Sequence, residues 1–398
     1  MTSKEPTCCH PPPFDASIES FPMPVLPEAT ILRTLIRNVS VFDGHSLLPG
    51  THNVLLDGGR IAAIHSILPP SDDDTGLVIV DGSGRFLVPG FIDTHIHIST
   101  TPAAMLHDLR HHGVTTALDM ATWPAAKFRA VQGIDGFPTI HSAGTFATSP
   151  ESMHGTFPGL PAIGQITSAD QAPAFVATQL ADGARFIKLI ASEDDGLSQP
   201  ILNAVVRAAD AAGCVSICHA ATSEPFTAAV ASHVRVVTHI PADAPLSSAL
   251  VEQMQANGQA NSPTLSMMEK TCARWPRYNT METALANVRR LHEAGIPIAL
   301  GTDSNDTPAA PGLVPFGQSV HGEMKLLRQA GLSELDVLRS ATSVAASVFG
   351  LSDRGVIQEG KRADVVLLAE NPVADIHATR SVEIVWLGGV QHCVAARE

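Results

Sequence analysis

Between residues 86 and 350 the chain alternates eight short apolar runs with longer stretches of helical pattern, and this alternation constrains its fold most. The runs are 87–97, 114–119, 139–143, 186–190, 215–219, 234–239, 259–264 and 296–302. Short apolar runs bounded by turn residues read as buried strands. The stretches 201–212 and 281–294 carry apolar residues at helical spacing, and Gly213 and Gly295 supply their stops. Strands joined through helices run parallel in their sheet. Eight such units predict an α/β protein built on a (β/α)8 TIM barrel, whose working face lies at the C-terminal ends of its strands.

The ends of the chain have a different character. Segments 31–41, 52–56 and 60–66 look like short strands, with Asp57-Gly58-Gly59 as a hairpin signal between the last two. Segments 363–368 and 382–387 match them, and Gly388-Gly389 precedes a final short strand. Residues 31–85 and 351–398 are therefore expected to form a small β-sandwich domain, with residues 86–350 as the barrel. Residues 1–30, rich in Pro and polar residues, are expected to form a flexible arm. They lack the apolar stretch of a signal peptide, which points to a cytoplasmic protein.

Charge and cysteine usage narrow the partners. A formal net charge of −14, with Lys and Arg scattered, argues against nucleic acid or an anionic membrane as the main partner. No apolar run reaches the length that spans a bilayer. Assembly into a homo-oligomer is left open. Cys8 and Cys9 are adjacent; Cys214, Cys218, Cys272 and Cys393 are isolated, with no C-x-x-C spacing, which disfavours both disulfides and a thiolate zinc site.

Residues with metal-binding chemistry fall at the strand ends. His95 and His97, at i and i+2, point to one face of the first strand. Lys188 lies in the fourth, His219 ends the fifth, His239 ends the sixth, and Asp303 follows the eighth. Neutral imidazole and carboxylate are ordinary ligands for divalent cations. Singly, each has a plain structural explanation: a strand-end His is often only hydrogen-bonded, and Thr302-Asp303-Ser304 could cap a helix. Lys188, flanked by Phe186, Ile187, Leu189 and Ile190, is harder to set aside, since an unpaired buried ammonium is costly. Reaction of its neutral amine with CO2 would convert it to a carbamate able to bridge two metals. Six groups at one face together favour a site.

The motifs that carry these residues resemble those of the amidohydrolase superfamily, close to the imidazolonepropionase-like branch that also holds metal-dependent prolidases and ochratoxinase. They are Pro89-Gly90-Phe91-Ile92-Asp93-Thr94-His95-Ile96-His97, His112-Gly113-Val114-Thr115-Thr116, Phe186-Ile187-Lys188, Cys218-His219-Ala220, Thr238-His239, Gly301-Thr302-Asp303-Ser304 and the tail 354–364. The resemblance spans residues 34 to 390. It implies a binuclear site in which His95, His97 and Asp303 hold one divalent ion and His219 and His239 the other. Carboxylated Lys188 and a hydroxide would bridge the two. Zn2+ suits such ligands best, with Mn2+, Co2+ and Fe2+ tolerated.

The same resemblance implies hydrolysis of an amide C–N bond, dipeptide-like or N-acyl amino acid, with Asp303 passing a proton from the attacking hydroxide to the leaving amine. Met153 and His154 in the third loop, and Met267 and Tyr278 in the seventh, are candidate contacts to a moderately large, partly apolar or aromatic substrate. Lactone hydrolysis and decarboxylation use the same cage, and a scaffold without activity is the remaining alternative.

Overall fold

The structure, a computed structural model, describes residues 31–66, 76–193, 195–307 and 310–394. The expected arm, with Cys8 and Cys9, lies outside the described residues. No described helix is long and apolar enough to cross a membrane.

Five strands open the described chain: β1 (Thr34–Val41), β2 (His52–Asp57), β3 (Arg60–His65), β4 (Val78–Asp81) and β5 (Phe86–Pro89). Seven more follow in the middle: β6 (Phe91–Ile96), β7 (Val114–Asp119), β8 (Thr139–Ser142), β9 (Ile187–Ile190), β10 (Ser216–His219), β11 (Val236–Thr238) and β12 (Ala260–Ser262). Three close the chain: β13 (Val365–Leu368), β14 (Val382–Leu387) and β15 (Val390–Cys393).

The two chain ends share one sheet, ordered β15-β14-β13-β5-β1-β2-β3, with β4 also paired to β1. The Asp57-Gly58-Gly59 signal marks a real hairpin: only two residues separate β2 from β3, and Gly58 and Gly59 have φ of 53° and 76°. Two positive φ values in succession are what a two-residue type I′ loop requires. Ile36, Val54, Leu56, Ile61, Leu87, Val365, Leu367 and Trp386 share a buried core beneath this sheet. Each such side chain contributes about 1.5–3 kcal/mol on leaving water. Strand β4 was not foreseen; it has only four residues, and none of them is fully buried.

The run 87–97 is not one strand, contrary to the sequence reading. Strand β5 pairs with β1 and β13 of the terminal sheet, whereas β6 pairs with β7. The chain changes sheets at Gly90. Its N–H donates to Asp364 O (2.8 Å), and the next N–H, of Phe91, donates to Gly113 O (3.0 Å). A Cβ at Gly90 would lie 2.7 Å from Thr115 Cβ and closer still to the rest of that side chain, so only glycine allows this approach.

The middle strands form two parallel sheets, β6-β7-β8 and β9-β10-β11-β12. Backbone hydrogen bonds continue between them. Ala147 exchanges bonds with Lys188 and Ile190 at 2.9 Å. On the other side Asn261 bonds Pro297 and Ala299 at 2.9 Å, and Thr94 and His95 bond Leu300 and Asp303 at 2.9 and 2.8 Å. The expected eighth strand, 296–302, is therefore an irregular segment that bonds both its neighbours without forming a regular ladder. Around the sheets lie helices such as Gln199–Ala211 and Met281–Glu293. The first buries Leu202, Val205, Val206 and Ala209, one stripe at i, i+3, i+4 and i+7. Both helices end as anticipated at Gly213 and Gly295, with φ of 69° and 75°.

Candidate metal centre

All seven parallel strands end at the same face, so residues far apart in sequence meet there. His95 lies in β6 and His97 immediately after it. Their Nε2 atoms lie 3.5 and 3.2 Å from Asp303 Oδ1. These three residues form a buried group whose candidate ligand atoms all lie within 4.8 Å of one another. His239, one residue beyond β11, places Nδ1 4.0 Å from Asp303 Oδ2, and its ring lies 5.1 Å from that of His95. His219, the last residue of β10, packs its ring 4.5 Å from His239. Lys188 in β9 is fully buried and donates from Nζ to Thr238 Oγ1 at 3.1 Å. Five of the six residues singled out as ligands, His95, His97, His219, His239 and Asp303, are thus linked by close approaches, and Lys188, second in β9, bonds Thr238 beside His239.

The electrostatics suit neutral imidazoles. Burial drives His95, His219 and His239 well below the ordinary histidine range, and the Lys188 charge lowers all three further. A metal ligand must present an unprotonated nitrogen. Both ring nitrogens of His95 and both carboxylate oxygens of Asp303 are buried without a hydrogen bond among the described residues. Carboxylate oxygens buried in this way without a hydrogen bond are costly unless a cation joins them. The donor set of two imidazoles and a carboxylate fits a divalent metal ion.

The backbone around this group is strained. His239, Thr264 and Asp303 have φ of 70°, 48° and 59°. Asn261 Nδ2 donates to His239 O at 2.8 Å, and Asn305 Nδ2 to Asp303 O at 2.9 Å, holding two of these turns.

Of the substrate candidates, His154 joins the cluster. It is buried, its ring lies 5.1 Å from that of His219, and burial takes it down to about 3. Met153 precedes it and is half-buried. Beside His154 stands an aromatic wall: Phe146 contacts His154 at 5.9 Å, Trp123 at 5.4 Å and Phe157 at 6.2 Å, all edge-on. Met267 and Tyr278 do not join this group. Met267 packs with Ala310 and Val314 in a separate apolar cluster, and Tyr278, beyond the helix Leu265–Arg274, is 64% exposed.

Several neighbours escaped the sequence reading. Asp93 accepts from Thr302 Oγ1 (2.6 Å), Thr302 N (3.0 Å) and His95 N (3.2 Å), tying β6 to the Asp303 turn, and burial raises it to about 7. Its spacing was the signal, since Asp93, His95 and His97 stand at i, i+2 and i+4. Asp119 ends β7 and accepts from Ser142 Oγ (2.5 Å) and Thr122 Oγ1 (2.9 Å); burial raises it, and His97 is among the groups that lower it. The rule applied to the other strands would have selected it. Trp123 and Glu323 carried no local signal.

Comparison with known proteins gives the family and the fold. Residues 86–391 match the model of the amidohydrolase family. Over 348 residues the chain is 26% identical to adenine deaminase 2 of Rhizobium meliloti (strain 1021), covering 83% of this chain and 53% of that protein. The chain spans about half the length of the curated relatives it matches first. Its fold is similar to that of a Xaa-Pro dipeptidase crystallised with methionine in the active site, with a TM-score of 0.78, 21% identity, and 91% of this chain and 100% of that one covered. It is also similar to phenylurea hydrolase B, at 0.77, 22%, 91% and 97%.

Proposed function

The chain belongs to the amidohydrolase family, and on that premise we propose that it is a metal-dependent hydrolase of an amide C–N bond in a partly apolar or aromatic small molecule. The observation that carries the proposal is the buried His95–His97–Asp303 group with His239 and His219 against it. The interstrand hydrogen bonds that run through Ala147, Asn261 and Thr94 support reading the parallel strands as a closed (β/α)8 barrel with this group at its mouth.

His95, His97 and Asp303 would hold one divalent ion and His219 and His239 a second, Zn2+ by preference, with Lys188 between them as the carbamate formed from CO2. When bound, such ions lower the pKa of water to about 7 and polarise a substrate carbonyl. The remaining work belongs to the chain. Asp303 takes a proton from the attacking water at a carboxylate oxygen and delivers it to the nitrogen of the leaving amine. His154, neutral at physiological pH, donates an N–H to the carbonyl oxygen as negative charge develops there. Phe146, Phe157 and Trp123 supply an apolar wall for an aromatic substrate group, and shield the reacting atoms from bulk water.

Metal analysis of the purified protein combined with a substrate screen tests this. N-acyl amino acids, dipeptides and aromatic lactones are offered before and after chelation. Amide cleavage that disappears on chelation and returns with added divalent ion supports the proposal. Absence of bound ion, or cleavage of lactones alone, overturns it. The likeness to adenine deaminase 2 favours a second reading, release of ammonia from a ring amino group. An ammonia assay with adenine distinguishes it.

A further inference from the structure

The helix Leu265–Arg274 begins in an unusual way. Thr264 occupies its N-cap position, where a threonine hydroxyl ordinarily accepts an amide hydrogen bond from the first turn. Here the side chain makes no cap bond, and the residue is left-handed with φ 48° and ψ 48°. A β-branched residue adopts that conformation only when its surroundings impose it. The Thr264 hydroxyl instead lies 2.7 Å from His239 Nδ1.

Capping comes from another helix. Glu323, buried at mid-length in Gln318–Gln329, accepts from Leu265 N at 2.7 Å, Ser266 N at 2.7 Å and Ser266 Oγ at 2.8 Å. Its two oxygens therefore satisfy the first two amides of the helix, leaving the Thr264 hydroxyl for the histidine. A proton on Nδ1 donated to that hydroxyl puts the His239 lone pair on Nε2. We infer that Glu323 is a positioning residue: by capping the Leu265–Arg274 helix in place of Thr264, it releases the Thr264 hydroxyl to fix the tautomer and ring orientation of His239. This rests on the proposed role of His239 in holding a metal ion, and adds to it a residue 84 positions further along the chain (239 to 323). Partners that orient metal-bound histidines typically contribute about 10–100-fold in metal affinity.

Glu323→Ala, Thr264→Val and the double variant form a cycle with two readouts. One is the 15N shift pattern of His239 in metal-free protein; the other is divalent-ion affinity by competition with a chromophoric chelator. The wild type is expected to show His239 as the Nδ1–H tautomer, and Glu323→Ala to lose that preference. Each single variant should bind the ion about 10-fold more weakly or worse, with the double variant no weaker than Thr264→Val alone. An unchanged tautomer in Glu323→Ala, or fold-losses that multiply in the double variant, overturns the inference. Should Glu323→Ala not fold, Glu323→Gln, which keeps one acceptor oxygen, takes its place and should fall between. A wild type that binds no ion refutes the metal reading, while the tautomer measurement still decides the role of Glu323.

Discussion

Gly301 sits where the irregular segment 296–302 passes β6, and replacing it with alanine should destabilise both fold and site. A Cβ at this position would lie 2.9 Å from His95 Cβ and 2.9 Å from Thr94 Oγ1, and would press on Ser262 Oγ. All three neighbours are fully buried. Forcing a methyl group into so tight a place costs about 1–3 kcal/mol. The intruding carbon also parts Thr94 Oγ1 from Ser262 Oγ, now hydrogen-bonded at 2.9 Å, and a buried hydroxyl left unsatisfied costs about 1–3 kcal/mol more. For a chain of 398 residues, with about 2.1 cal/mol/K of unfolding entropy per residue, each kcal/mol lowers the melting temperature by about 1 °C. Scanning calorimetry of metal-free Gly301→Ala should therefore show a fall of about 2–7 °C. Because one of the crowded atoms belongs to His95, ion affinity should fall as well. Adding Ser262→Ala, which removes the most crowded atom, should recover part of the loss. Gly322→Ala provides a control of opposite sign: its Cβ would meet only Ser266 Oγ, at 3.9 Å, inside the helix Gln318–Gln329. Alanine there should raise the melting temperature by about 1 °C. A Gly301→Ala protein melting within about 1 °C of wild type would refute the reasoning.

Asp303→Asn should reduce turnover of any amide substrate by about 10²–10⁴-fold while the protein still binds divalent ion, because the amide keeps a ligand oxygen but not the proton-transfer capacity; steady-state kinetics beside a metal titration checks both halves. His321 lies away from the centre, bonded through Nδ1 to Thr379 Oγ1 at 3.0 Å, and burial, His112 and Arg380 lower it to about 3. The unfolded chain takes up this proton below the ordinary value of 6.5, whereas the folded chain takes it up only near 3. Its contribution to stability is thus complete above pH 6.5 and is lost as pH falls toward 3. Urea midpoints at pH 7 and pH 5 should differ less in His321→Gln than in wild type, by about 1–2 kcal/mol once converted to free energy; an equal difference in both proteins would count against it. Burial pushes the Cys218 thiol up to about 12, whereas Cys393 is exposed. Native protein treated with iodoacetamide at pH 8 should carry label on Cys393 and none on Cys218 by peptide mass spectrometry.

What the sequence discloses and what it hides divide along the range of the interactions. The hairpin at Gly58-Gly59 and the helix stops at Gly213 and Gly295 were legible because each is decided within a few residues by the sign of φ. His95, His97, His219, His239 and Asp303 were legible for a related reason: strand periodicity and the ends of apolar runs are local, and a parallel arrangement then delivers every strand end to one face. The sheet switch at Gly90 was not, since Asp364 and Thr115 create it from elsewhere in the chain. The same holds for Glu323, whose partners Leu265 and Ser266 lie 58 and 57 residues away. Met267 and Tyr278 failed to join the group because they follow β12 on and beyond a helix, and a helix's direction, not its sequence position, decides which of its residues face the candidate metal centre.

Left-handed backbone connects the stability of the molecule with its proposed chemistry. Among the described non-glycine residues, positive φ occurs at Asn38, Asp195, His233, His239, Thr264 and Asp303, and the last three surround the candidate metal centre. Asn, Asp and His tolerate this region better than other residues, but a threonine does not. Each strained residue costs on the order of 1–3 kcal/mol and persists only where its surroundings over-determine it. Those surroundings are visible: Asn261 holds the carbonyl of His239, Asn305 that of Asp303, and Glu323 the helix that follows Thr264. The same turns set the directions from which His239 and Asp303 approach His95 and His97. The strain is the cost of aiming side chains from three separate segments at one point, which is why the buried amides and the glutamate that hold these turns belong to the site as much as the groups that would touch the ion.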